Sequence, residues 1–156
     1  MTENTMNRLQ TKLMNREPFE WTIRSEDETR EFGLAFAEIL KPGDIVALIG
    51  DLGTGKTTLT KYIAEGLGVR ENISSPTFNI VKEYRSGRIP LFHFDVYRLG
   101  SGDELLDIGA EEYFYDGGVS VVEWADLVAD VLPEESIVIR IKYGKNEGER
   151  AYQCIF

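Results

Sequence analysis

Apolar strand-like runs alternate along this chain with amphipathic helical stretches, which predicts an α/β fold with a mixed β-sheet flanked by helices. Three observations carry the expectation. A buried-strand run, Ile45-Val46-Ala47-Leu48-Ile49, leads through a glycine-rich loop into a helical stretch from Thr58 to Leu67. Two β-rich runs, Phe78 to Tyr84 and Ile89 to Asp95, surround the four-residue connection Arg85 to Arg88 and form an inserted antiparallel hairpin. Because that hairpin follows the first strand–loop–helix unit, the sheet is not wholly parallel. Late apolar runs at Val119 to Glu123, Ile137 to Ile141 and Tyr152 to Phe156 supply the remaining strands.

The other elements follow in order. The chain has 156 residues, enough for one domain with a full hydrophobic core, and no repeat or Pro/Gly/Ser-rich linker divides it. Residues 1–18 are polar, with Met6, Leu9 and Leu13 too sparse for a buried face, so they read as a frayed extension of a single domain spanning 19–156. Phe19 to Ile23 alternates apolar and polar residues as an edge strand does. Ser25 with Glu28 is a capping-box signature, opening a helix whose stripe of Phe32, Leu34, Ala35, Phe36, Ile39 and Leu40 ends at Pro42-Gly43. A helix from about Asp103 to Tyr113 stops at Asp116-Gly117-Gly118, and a short helix from Ala125 to Val131 stops at Pro133.

The loop between the first central strand and its helix carries the chemistry. Gly50-Asp51-Leu52-Gly53-Thr54-Gly55-Lys56-Thr57 is a complete G-x-x-x-x-G-K-[ST] phosphate loop. Backbone N–H groups of such a loop, at a helix N-terminus, form a concave anion site. Lys56 reaches the β- and γ-phosphates, the Thr57 hydroxyl ligates Mg2+, and Thr58 continues the binding segment. The expected ligand is a nucleoside triphosphate. No Asn-Lys-x-Asp run reads guanine, so ATP is preferred.

A phosphate loop needs further acids to hold magnesium and orient water, placed at the C-terminal ends of neighbouring strands. Leu91 to Phe94 ends in Asp95, and Val119 to Val122 ends in Glu123. Spacing leaves open which acid meets the metal. Glu123 follows the smoother β-branched strand and is assigned to the magnesium shell, directly or through water, while Asp95 orients the attacking water or reports the state of the γ-phosphate. His93 shares a sheet face with Asp95 and reads as a packed, hydrogen-bonded histidine. Arg98 fits a phosphate contact or a surface ion pair equally. Trp124 reads as a core or interface anchor ahead of a nucleotide contact. Ser74-Ser75-Pro76-Thr77-Phe78 suits a switch segment whose Thr77 senses the γ-phosphate.

The formal net charge is −10, and it is unevenly spread. From Leu99 to Ile139 there is no Lys or Arg, while eleven acids fall between Asp103 and Glu135. Such a surface repels phosphate backbones, which argues against tight nucleic-acid binding by this chain alone. It is a solvated face or a dock for a basic protein patch. The single cysteine, Cys154, excludes an internal disulfide, reads as a small packing residue and fits a reducing, cytoplasmic setting. No run has the length of a membrane span or the apolar core of a signal peptide.

The motifs taken in order resemble the TsaE family, the small bacterial ATPase of tRNA threonylcarbamoyladenosine synthesis. The matching stretches are Gly50 to Thr58, Ser75-Pro76-Thr77-Phe78, His93-Phe94-Asp95-Val96-Tyr97-Arg98-Leu99 and Val122-Glu123-Trp124. Thr54 stands where family members often carry alanine, and Asp126 where glutamate is usual. The resemblance implies magnesium-dependent ATP hydrolysis in support of two protein partners, TsaD and TsaB. In the family these transfer a threonylcarbamoyl group to an adenosine beside the anticodon, so tRNA is met indirectly. It also implies that Thr57 and Glu123 serve magnesium, that Lys56 serves the phosphates and that Asp95 is needed for hydrolysis. Two other readings compete. A small-molecule kinase needs an arginine-bearing lid, which the cation-free stretch from Leu99 to Ile139 does not offer. A nucleotide-controlled assembly module with little hydrolysis uses the same acids to order a complex.

Overall fold

The computed structural model describes residues 1–76 and 78–156. The chain builds α1 (Glu3–Asn15), β1 (Phe19–Ile23), α2 (Glu26–Glu38), β2 (Ile45–Ile49), α3 (Lys56–Gly66), β3 (Val81–Tyr84), β4 (Leu91–Asp95), α4 (Gly102–Asp107), α5 (Ala110–Phe114), β5 (Val119–Glu123), a 3-10 segment (Ala125–Val131), β6 (Ile137–Tyr143) and β7 (Arg150–Ile155). The seven strands form one sheet in the order β1-β7-β6-β2-β5-β4-β3. The four inner strands β6, β2, β5 and β4 run parallel. The flanking pairs β4–β3, β6–β7 and β7–β1 are antiparallel. The sheet is therefore mixed, with the expected inserted hairpin (β3–β4) at one edge.

Side-chain alternation along the inner strands divides the core into two layers. Val46 and Leu48, Val119 and Val121, and Ile137, Ile139 and Ile141 pack with α1, α2 and α3. Ile45 and Ala47, Phe92 and Phe94, and Val122 pack with α4, α5 and the 3-10 segment. All five β5 residues are buried, as expected for a central strand covered on both faces. β1 instead alternates buried and exposed residues, the mark of a strand covered on one face.

The N-terminal reading is corrected. Residues 1–18 are not a frayed extension: Glu3–Asn15 is a helix with Leu9 and Leu13 fully buried in the main core. Two leucines at i and i+4 make only a narrow stripe, but a helix lying against α2 needs no more. Thr2 caps the helix start by accepting from the Thr5 N–H, and Arg16 ties its end to the Ile39 carbonyl at 2.6 Å and to Asp44 at 3.1 Å. Three local readings also change. The Ser25 hydroxyl accepts from the Glu28 N–H, but the Glu28 carboxylate reaches back to the Arg24 N–H rather than to that of Ser25. The helix expected from Asp103 to Tyr113 is two short helices, separated where Gly109 takes a φ of +85°. The segment Ala125–Val131 is 3-10 and kinked at Val128.

Candidate functional site

The C-terminal ends of β2, β4 and β5 meet at one rim of the sheet. Register places Asp95 beside Glu123, and Glu123 beside Leu48. The loop from Gly50 to Gly55 leaves β2 at this rim and enters α3. Gly55 takes a φ of +97°, in the region open to glycine, and α3 begins there without a side-chain cap. The first-turn N–H groups of α3 and the positive end of its dipole thus face a pocket of about 390 Å3. Gly53, Gly55, Lys56, Thr57 and Thr58 line it from the loop side, and Ser75, Asp95, Glu123 and Trp124 from the strand ends.

Inside this pocket the side chains are already linked. The Thr57 hydroxyl lies 2.8 and 3.0 Å from the two Glu123 carboxylate oxygens, a contact between residues 66 positions apart. Glu123 is 2% exposed and also meets Nε2 of the fully buried His93 at 2.5 Å. His93 thus holds the same carboxylate that the Thr57 hydroxyl meets. Asp95 accepts a hydrogen bond from the Ser75 hydroxyl at 2.6 Å and from the Tyr97 N–H at 3.1 Å. Its two oxygens are held, and Asp95 remains part of the pocket wall.

Lys56 folds across the loop, donating to the carbonyls of Gly50 at 2.6 Å and Asp51 at 3.0 Å. Its ammonium sits 3.9 Å from the centre of the Trp124 ring. Burial lowers the Lys56 pKa below that of an ordinary lysine, and the charges of Glu123, Asp95, Asp126 and Asp51 oppose the shift. A cation in such a place gains from a phosphate that restores the favourable field. Trp124 has a φ of +62°, uncommon for a bulky residue, and its ring stands 4.7 Å from that of Tyr97. It is half-buried, packed against the second core layer on one side and walling the pocket on the other.

The remaining expected residues divide. Gly50, Asp51 and Thr54 turn toward a separate cavity against β6, and the Thr54 hydroxyl donates to the Asp51 carbonyl at 2.8 Å. Leu52 is 78% exposed at the mouth of the pocket. Arg98 makes no ion pair among the described residues and lies 5.4 Å over the Phe78 ring. Thr77 lies outside the described residues. Sequence reasoning did not assign Ser75 to Asp95, nor reach the second half of the cleft. A pocket of about 290 Å3 shares Gly53, Gly55 and Thr58 with the first, is also lined by Thr54, and is completed by Ser25, Glu26, Thr29, Gly148, Arg150 and Tyr152. The capping signature at Ser25 was the only hint of it.

The donor set fits magnesium. Thr57 and Glu123 offer hard oxygen ligands on one side of a pocket rimmed by helix N–H groups, and Mg2+ is held by one or two such groups plus substrate phosphates and water. No cluster of three or more His, Cys, Asp or Glu side chains suited to caging a metal occurs among the described residues.

Fold and site together define a mixed α/β protein of the phosphate-loop class. Residues 23–152 match the family model described as Threonylcarbamoyl adenosine biosynthesis protein TsaE, and the chain belongs to that family. It is 46% identical over 136 residues to the tRNA threonylcarbamoyladenosine biosynthesis protein TsaE of Bacillus subtilis, covering 86% of this chain and 85% of the relative. The TsaE protein of Treponema pallidum is 44% identical over 119 residues, covering 76% of this chain and 87% of the relative. The crystal structure of Bacillus subtilis YdiB superposes with a TM-score of 0.74 at 41% identity, covering 88% of this chain and 84% of that one.

Proposed function

We propose that this chain binds ATP with Mg2+ and hydrolyses it in support of tRNA threonylcarbamoyladenosine biosynthesis, acting with TsaD and TsaB rather than on the RNA. The observation that carries the reading is the Thr57–Glu123 contact, which brings a loop hydroxyl and a strand-end carboxylate together beside Asp95 at the mouth of an N–H-lined pocket. The names of the relatives supply the pathway.

Thr57 and Glu123 would hold the metal, with His93 fixing the carboxylate that does so. Bound there, Mg2+ supplies charge neutralisation at the phosphates. Lys56 turns from the Gly50 and Asp51 carbonyls to the phosphates and keeps its charge by doing so. Asp95, held by Ser75 and Tyr97, orients the water that attacks the γ-phosphorus and accepts its proton. The nucleoside occupies the second pocket, which joins the first across Gly53, Gly55 and Thr58. The acidic stretch from Asp103 to Glu135 supports contact with a protein surface over contact with RNA.

Single-turnover ATP hydrolysis, with and without purified TsaD and TsaB, tests the reading. Partner-stimulated hydrolysis that disappears in Lys56→Ala and Glu123→Ala is expected. Nucleotide-dependent complex formation with no hydrolysis would leave an assembly module, and phosphate transfer to a metabolite would make the chain a kinase.

A further inference from the structure

The side of the phosphate loop that faces away from the pocket rests on the β6–β7 hairpin. Tyr143, the last residue of β6, donates its hydroxyl to the Leu52 carbonyl at 2.6 Å. Arg150, the first residue of β7, donates from Nε to the Thr54 carbonyl at 3.1 Å and from Nη2 to the Gly53 carbonyl at 3.3 Å. Its guanidinium stacks 4.7 Å from the centre of the Tyr143 ring, so the two side chains form one unit. The β6 backbone closes in at the start of the loop: a Cβ on Gly50 would lie 2.8 Å from the Ile141 carbonyl oxygen.

Three consecutive loop carbonyls are thus drawn to one hairpin. In a planar trans peptide the C=O and the following N–H point in opposite directions. Holding the Leu52 and Thr54 carbonyls against the hairpin therefore turns the N–H groups of Gly53 and Gly55 to the opposite side, and both residues line the phosphate pocket. The Thr54 N–H is used within the loop, on the Asp51 carbonyl at 3.2 Å. A glycine-rich loop has many conformations to lose on binding an anion, and a brace that orders it beforehand lowers that cost.

We propose that Tyr143 and Arg150 are positioning residues that hold the loop in its anion-binding shape and so set the affinity for the polyphosphate without touching it. The proposal rests on the reading of the site as one for ATP. Arg150 also borders the second pocket, so its rival role is a direct contact with the nucleoside. A ligand with phosphates and no nucleoside separates the two.

The experiment is a fluorescence titration with mant-ATP, followed by competition with ATP and with pyrophosphate, on the wild type, Tyr143→Phe, Arg150→Met and Arg150→Lys. Arg150→Met is expected to weaken ATP and pyrophosphate by the same factor, at least about tenfold for the loss of two charge-assisted hydrogen bonds. Arg150→Lys should recover part of that loss, and Tyr143→Phe should weaken both ligands by a smaller common factor. Tyr143 is half exposed and loses only a hydroxyl, so this variant carries the test should the Arg150 variants fold poorly. Weakened ATP with unchanged pyrophosphate would assign Arg150 to the nucleoside and overturn the proposal, as would unchanged affinity for both. Failure of the wild type to bind mant-ATP would instead overturn the nucleotide reading itself.

Discussion

Asp95→Asn removes a negative charge from the pocket while leaving its surroundings in place. One Asp95 oxygen accepts from the Tyr97 N–H, and the amide oxygen of Asn keeps that bond. The other accepts from the Ser75 hydroxyl, and an amide NH2 there donates to the same hydroxyl with the direction reversed. The exchange of charge-assisted for neutral hydrogen bonds costs about 1 kcal/mol of stability. On the proposed reading, what is lost is the group that orients water and takes its proton, an effect of about 10²- to 10⁴-fold, or about 2.7 to 5.4 kcal/mol of barrier. Single-turnover hydrolysis with TsaD and TsaB, run beside a mant-ATP titration, reads both quantities. The rate constant is expected to fall by about that factor while the Kd stays within about threefold. A rate within threefold of the wild type would refute the role given to Asp95. A Kd that rose as much as the rate fell would make it a binding group.

Other consequences follow from the same geometry. Leu13 is fully buried between α1 and the core, so Leu13→Ala should lower the urea-derived stability by about 3 kcal/mol or more; a loss below about 1 kcal/mol would mean that α1 undocks on its own. Glu123→Gln keeps an acceptor for the Thr57 hydroxyl but loses the anionic ligand, so Mg2+ should tighten ATP binding in the wild type and change it little in the variant, as read by titration in Mg2+ and in EDTA. Burial pushes the Cys154 thiol and the Tyr152 phenol each up to about 12, from 9.0 and 10.0. Both groups resist ionising in the folded state. Stability should hold below pH 9 and fall as pH rises toward 12, by up to about 4 kcal/mol from Cys154 alone. Urea midpoints from pH 8 to 11 check this, and Cys154→Val should flatten the decline.

The parts of the fold legible in the sequence were those written in spacing. The β2–loop–α3 unit announces itself through fixed glycines and Lys56, and Asp95 and Glu123 stand out because each ends an apolar run. Their alignment on adjacent strands follows from β4 pairing in parallel with β5. The helix α1 was illegible because two leucines among polar residues look like chance until α2 is there to receive them. Gly109 was read through because glycine inside a helical pattern is tolerated, and only its positive φ breaks the helix. The contacts of Tyr143 and Arg150 left no trace for a different reason. Their partners are backbone carbonyls, which every residue carries, so no complementary side chain marks the other end. Assigning Thr57 and Glu123 to one magnesium ion already placed them together from sequence, but did not give the direct hydrogen bond that joins a neutral hydroxyl to an acid across 66 positions.

The most direct test of the account is reconstituted tRNA modification. Purified TsaD and TsaB are supplied with an unmodified tRNA, a threonylcarbamoyl donor and ATP, and threonylcarbamoyladenosine is counted by mass spectrometry with this chain present, absent or replaced by Lys56→Ala. The account predicts that sustained modification requires the chain and ATP together, and that Lys56→Ala leaves it at the level seen without the chain. Equal modification in all three reactions would contradict it.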